Sequence, residues 1–254
     1  MGFSALLCAG VVVLCSAAPF KLPQRNEPHN DRPIIGILTQ EVDNESMKKF
    51  GKTYIPSSYV KYIESGGARV VPIRLNQSLA EHEQIFRSIN GYVLHLSFKT
   101  LLCEASSSRM FTNFPSDVRK ALSQEPLTGN FHHYGVTKAF MGNEKLSGFF
   151  SVLSTNIAQN GLEFVSTVEG RKHPFYGVQW HPEVNRFQWD PRYNFPHSSN
   201  AVRVSSLLAE FFVNEGRRSS HHFSEAAEES SALIYNYNPV HVANISAYEQ
   251  SYFF

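Results

Sequence analysis

Between residues 33 and 94 the chain switches repeatedly between two hydrophobic periods, and this restricts the fold more than any other feature. Pro33-Ile-Ile-Gly-Ile-Leu38 is a short β-branched run of the kind a buried strand uses. Tyr54 to Ser65 moves to helical spacing, with Ile55, Tyr59, Tyr62 and Ile63 on one face. Pro56 suits the first turn, and Gly66-Gly67 end the helix. Ala68-Arg-Val-Val-Pro-Ile73 reads as a second strand, Ser78 to Ser88 as a second helix, and Asn90-Gly-Tyr-Val-Leu94 as the start of a third strand. Strands separated by helices predict a parallel sheet covered on both faces, an α/β fold.

After Leu94 the rhythm stops. A parallel neighbour needs a crossover of about a dozen residues or more, usually a helix. His95-Leu-Ser-Phe-Lys-Thr-Leu-Leu-Cys-Glu-Ala-Ser-Ser-Ser108 is too short for another helix and strand, so a unit is missing. Downstream, Glu144 to Leu153, Leu162 to Val168 and Phe175 to Trp180 read as strand-rich, with Asn160-Gly161 as a hairpin turn. Asn200 to Glu215 reads as a helix, capped by Asn200 and stopped by Gly216. In the tail, Tyr235, Tyr237 and Tyr248 are expected to pack back on the domain.

With 254 residues and 42% hydrophobic content, the chain can bury one sizeable core, so residues 33–254 are read as a single domain. A net charge of +1 with interspersed signs argues against nucleic-acid partners and against a polybasic membrane patch. Residues 1–18 carry an apolar run from Phe3 to Leu14, followed by small residues at Cys15-Ser-Ala-Ala18. That pattern predicts a cleaved secretory signal, since a membrane span needs about 20 apolar residues. Residues 19–32 are polar and Pro-rich, a flexible lead-in. Cleavage would remove Cys8 and Cys15 and leave Cys103 as the one remaining thiol, with no internal disulfide. Asn44-Glu-Ser46, Asn76-Gln-Ser78 and Asn244-Ile-Ser246 are candidate N-glycosylation sites, as expected of a secreted chain.

The chemistry concentrates in Phe175-Tyr-Gly-Val-Gln-Trp-His-Pro-Glu183. His181 follows an apolar strand that Pro182 ends. Glu183, two residues on, reaches the same side if the chain stays extended. A carboxylate beside an imidazole fixes its tautomer and stabilises its protonated form. The imidazole can then take a proton from a thiol and return it to a leaving amine. The pairs His132-His133 and His221-His222 have no Cys or carboxylate at ligand spacing, so no metal and no cofactor is assigned. The second pair is read as a solvated helix end.

That string resembles the class I glutamine amidotransferase-like hydrolases, which use a Cys–His–Glu triad. Further segments narrow the resemblance to the folate γ-glutamyl hydrolases, peptidase family C26. They are Pro33 to Leu38, Tyr59-Val-Lys-Tyr-Ile-Glu-Ser65, Ala68-Arg-Val-Val-Pro72, Ser108-Arg-Met-Phe111, Glu125-Pro-Leu-Thr128, Asn130-Phe-His132, Ala209-Glu-Phe-Phe-Val-Asn-Glu215 and Ala232-Leu-Ile-Tyr235. The resemblance implies a three-layer α/β/α fold with a mostly parallel sheet. It also implies a homodimer, in secretions and lysosomes, that cleaves γ-linked glutamates from folyl or antifolate polyglutamates. His181 would be the catalytic base and Glu183 its orienting acid, with His132 and Tyr54 on the substrate side.

The departure lies in the nucleophile. The family carries it in a Gly-x-Cys-x-Gly elbow after an earlier Pro-Gly-Gly loop, and this sequence has neither. The internal deletion falls near residues 95–107 and is expected to remove a central strand and the elbow helix. Cys103 is a poor substitute. Leu102 and Glu104 replace the small residues a strained elbow needs, and Glu104 would raise the thiol pKa where a nucleophile needs it lowered. Three readings follow: a hydrolase-family chain with little or no activity, a non-catalytic remnant that binds folyl polyglutamate or dimerises, and an amidotransferase-like glutaminase.

Overall fold

A computed structural model describes residues 29–93, 108–130, 136–137, 139–158 and 160–254. In chain order the first part holds β1 (Ile34–Leu38), β2 (Gln40–Glu41), β3 (Thr53–Pro56), α1 (Ser57–Ser65), β4 (Arg69–Ile73), α2 (Leu79–Ser88) and β5 (Gly91–Val93). The second holds α3 (Ser116–Gln124), α4 (Ala139–Gly142), α5 (Glu144–Phe149), β6 (Phe150–Ile157), β7 (Glu163–Gly170) and β8 (Tyr176–Val178). It continues through α6 (Val184–Phe187), α7 (Ser199–Gly216), α8 (Ala226–Ala232), β9 (Val240–His241) and β10 (Gln250–Phe253).

The sheet expected from the alternation is there, in the order β4-β1-β5 with both pairings parallel. Successive side chains of β1 point to opposite faces. Ile35 and Ile37 join a cluster with Tyr59 and Ile63 of α1 and with Val204, Leu208 and Val213 of α7. Ile34 joins a second cluster with Ile85 of α2, Phe223 and Leu233. Helices therefore cover the sheet on both sides, giving the α/β/α layering. Each buried Ile contributes about 1.5–3 kcal/mol, which lets a five-residue strand serve as the centre of the sheet. α1 lies tight against α7: a Cβ on Gly66 would sit 2.7 Å from the Ala209 carbonyl oxygen, so glycine is required where α1 ends.

Two antiparallel sheets surround this unit. One has the order β2-β3-β10-β9, in which the C-terminal residues return to the N-terminal half; the Phe254 carbonyl accepts from the Lys52 and Thr53 amides. The other is β6-β7-β8, closed by the Asn160-Gly161 turn with Gly161 at φ +81°. Some boundaries depart from the sequence reading. Tyr54 to Pro56 are strand rather than helix start, because β3 pairs with β10. Glu144 to Phe149 are helical, because the Asn143 side chain accepts from the amides of Lys145 and Leu146. α7 is capped by Ser198, not Asn200, and runs through Gly216. The expected missing strand and elbow helix, along with Cys103, fall outside the described residues.

Glu169 fixes the chain where its description resumes at Ser108. Its carboxylate is 8% exposed and accepts from the Ser108 hydroxyl, the amides of Arg109 and Met110, and the Arg109 Nε. Burial works to raise its pKa. The hydrogen bonds from Arg109, Ser108 and Met110 together outweigh burial and hold it below the ordinary glutamate value. Arg109 is 39% exposed, so solvent screens part of that pair. Glu169→Gln should cost about 2 kcal/mol in urea unfolding at neutral pH. A lowered folded-state pKa stabilises above the ordinary value and is lost as pH falls through the folded one, so the difference should narrow under acid.

Candidate active site

The strand that carries the histidine is short. β8 ends at Val178, Gln179 bonds through its amide to the Ser166 carbonyl, and Trp180 is buried in the core. The His181 amide then donates to the Gly129 carbonyl at 3.0 Å, which brings Glu125-Pro-Leu-Thr-Gly129 alongside the motif. Beyond His181 the chain does not stay extended. Glu183 has φ −70° and ψ −30° and opens α6, so its carboxylate reaches the imidazole across a turn. Glu183 Oε1 lies 2.8 Å from His181 Nδ1. The expected pair is present, by a different backbone route.

Several anchors hold that turn. The Pro182 carbonyl accepts from the Ser205 hydroxyl of α7 at 2.5 Å. Asn185, fully buried, donates through Nδ2 to the carbonyls of Leu127 and Ala201. Arg186 bonds Ser205 and Ser65, joining α6 to α7 and α1. Gln188 donates to Ser58 and accepts from the Glu249 amide. These polar side chains leave His181 and Glu183 little freedom to separate.

Glu183 is 3% exposed, and its charge is surrounded by phenols. The Tyr59 hydroxyl lies 3.1 Å from His181 Nδ1 and also hydrogen-bonds the Glu183 carboxylate. Burial, and then the Glu183 charge, push the Tyr59 and Tyr62 phenols well above the ordinary tyrosine value. Burial, then Tyr54 and Glu183, do the same to Tyr248. All three phenols therefore stay neutral and able to donate. Tyr54 hydrogen-bonds Tyr248, which places it one residue removed from the carboxylate.

By sequence spacing Tyr59 belongs to the apolar helix face. Its ring does pack in the core, but its hydroxyl reaches the site. Position on α1 alone gave no sign of this, because His181 lies 122 residues away. His132 and Cys103 fall outside the described residues. His221 and His222 lie past the end of α7, where His221 Nδ1 is 3.1 Å from the Ile89 carbonyl. Asn44, Asn76 and Asn244 are exposed; the Asn44 side chain donates to the Ile245 carbonyl, so two of the sequons adjoin. Among the described residues no cluster of three or more His, Cys, Asp and Glu is placed to hold a metal. Among them, too, no helix is long and apolar enough to cross a membrane.

An α/β/α domain with a carboxylate-held imidazole just beyond a strand presents the acid–base half of a nucleophilic hydrolase. Comparisons with known proteins agree and narrow the class. A family model described as Peptidase C26 matches residues 33–97. The chain is 39% identical over 315 aligned positions to human "Gamma-glutamyl hydrolase", covering 98% of both chains. It is 32% identical to "Gamma-glutamyl hydrolase B" of Dictyostelium discoideum, over 89% of this chain and 84% of that one. It is 30% identical to "Gamma-glutamyl hydrolase 1" of Arabidopsis thaliana, over 89% and 83%. The chain belongs to the gamma-glutamyl hydrolase family. Because the human alignment runs over 315 positions and this chain has 254 residues, at least 61 positions (315 less 254) face no residue here.

Tyr59→Phe removes one donor from a buried carboxylate and leaves the ring in place. It should lower stability by about 1–2 kcal/mol in chemical denaturation. An unchanged midpoint would mean that the hydroxyl makes no net contribution to holding Glu183.

Proposed function

We propose that this chain is a gamma-glutamyl hydrolase family member that keeps the acid–base pair and substrate-side groups for folyl poly-γ-glutamates but turns them over little or not at all. The observation that carries this reading is the His181–Glu183 pair, 2.8 Å apart and anchored from three sides, in a sequence without the family's nucleophile elbow. With Nδ1 committed to Glu183, proton transfer falls to Nε2, which in a cysteine hydrolase would take the thiol proton and return it to the departing glutamate amine. The 61 or more unmatched alignment positions favour a true internal gap over gradual divergence. The family-model match ends at residue 97, inside the stretch where the strand–helix rhythm breaks. His132 and Tyr54 are assigned to the substrate side. Residues 1–18 are a cleaved secretory signal, and the destination is extracellular and lysosomal. The chain pairs as a homodimer.

Secreted, monodisperse protein should hydrolyse a pteroyl-polyglutamate at least about 10⁴-fold more slowly than the human relative, the scale expected for a missing nucleophile. It should still bind that compound. Comparable turnover that disappears in Cys103→Ser would show that Cys103 has been recruited and would overturn the inactivity. Aggregation of the secreted sample would overturn the binding role. Endoglycosidase treatment should reduce the mass of the secreted chain through loss of glycans at Asn44, Asn76 or Asn244. An unchanged mass, or failure to secrete, would contradict the localisation.

A further inference from the structure

Immediately beyond the site turn, residues 189–197 present aromatic side chains to solvent. Trp189 is 60% exposed and lies flat on His197, with ring centroids 4.0 Å apart and planes 9° apart. Phe195 meets His197 edge-on at 6.4 Å and stacks with Tyr193 at 5.6 Å. Leaving an indole this exposed forgoes much of its burial energy, and such rings commonly mark a ligand surface.

The ladder is rigidly based. Buried Gln188 is held by Ser58 and by the Glu249 amide just before Trp189 begins. His197 Nδ1 is 3.1 Å from the carbonyl of fully buried Asn185, so the imidazole under the indole is fixed to the site turn itself. Arg192 is paired with Asp190 and donates to the Ser246 carbonyl, which ties the loop to the tail. The far end of the ladder also points back to the site. Tyr193 is near enough to raise the Tyr248 phenol, which also feels the Glu183 charge and bonds Tyr54.

We infer that Trp189, backed by His197, is a stacking platform for a planar fused heteroaromatic ring. On the function proposed above, on which this inference rests, that ring is the pteridine head at the end of the substrate opposite its free glutamates. An indole set parallel on an imidazole has one face covered and leaves a single flat face of fused-bicyclic breadth, suited to a bicyclic heterocycle rather than to a folded protein surface. The platform selects for the head group, while the residues around His181 engage the γ-glutamyl chain.

Calorimetric titration of the full glycosylated chain with pteroyl-tri-γ-glutamate and with tri-γ-glutamate lacking the ring tests this. Trp189→Ala should weaken the pteroyl compound about tenfold, the usual scale for losing one aromatic stack, and leave the ring-less peptide unchanged. Trp189→Phe should recover most of the loss. Wild-type affinity for the pteroyl compound in Trp189→Ala would overturn the platform and leave the function standing. So would a dimer that dissociates in that variant with its affinity intact, which would assign the face to a second copy of the chain. If neither compound binds the wild-type protein, the γ-glutamyl reading fails and the platform with it.

Discussion

A carboxylate taken out of water must be surrounded by donors or it destabilises everything around it, and Glu183 imposes that condition on this fold. It is buried at the junction of α1, α6 and the C-terminal tail. Tyr59 from α1 and His181 from the turn hydrogen-bond it, while Tyr62 of α1 and Tyr248 of the tail lie within reach of its charge without a hydrogen bond to it. The burial that makes Glu183 costly also keeps those phenols neutral, so that Tyr59 remains a donor and no second negative charge forms beside the carboxylate. Fixing the imidazole tautomer follows from the same arrangement. The Nδ1 proton has a permanent acceptor, and the ring cannot turn without abandoning a buried charge.

This dependence explains why the tail returns to the N-terminal half. β10 pairs with β3, the Phe254 carbonyl is held by residues 52 and 53, and the Glu249 amide is accepted by Gln188. These contacts hold the tail on either side of Tyr248, whose amide donates to the Ser246 hydroxyl and whose phenol bonds Tyr54. Ser205 of α7, bonded to the Pro182 carbonyl, and Asn185 and Arg186 of α6, bonded to Ala201 and Ser205, do the equivalent on the α7 side. None of them depends on residues 95–107. The geometry of the His181–Glu183 pair therefore rests on α1, α6, α7 and the tail.

Much of the parallel unit was legible from sequence because its signals are local. β1, β4 and α2 fall within one residue of their expected bounds, α2 by virtue of a Ser78–Glu81 capping box. The antiparallel sheet β2-β3-β10-β9 was not legible, since its strands are only 2–4 residues long and its central pairing, β3 with β10, joins residues as far apart as Tyr54 and Phe253. Glu144 to Phe149 misled for a different reason: the sequence reading merges them with the strand that follows, although Glu144, Lys145 and Leu146 favour helix and Asn143 caps it. At the site, spacing revealed His181 and Glu183 but not the turn that joins them. Tyr59 and Tyr248 escaped notice because their role depends on which end of the ring is buried, and hydrophobic patterning does not record that.

Whether this chain forms a covalent intermediate is the most direct question. Intact-mass spectrometry of the secreted protein, acid-quenched during incubation with pteroyl-polyglutamate, would answer it. A chain without a nucleophile keeps its unmodified mass at every time point. A pteroyl-glutamyl adduct, mapped by digestion to Cys103 or any other side chain, would contradict the reading of His181 and Glu183 as an acid–base pair left without a nucleophile.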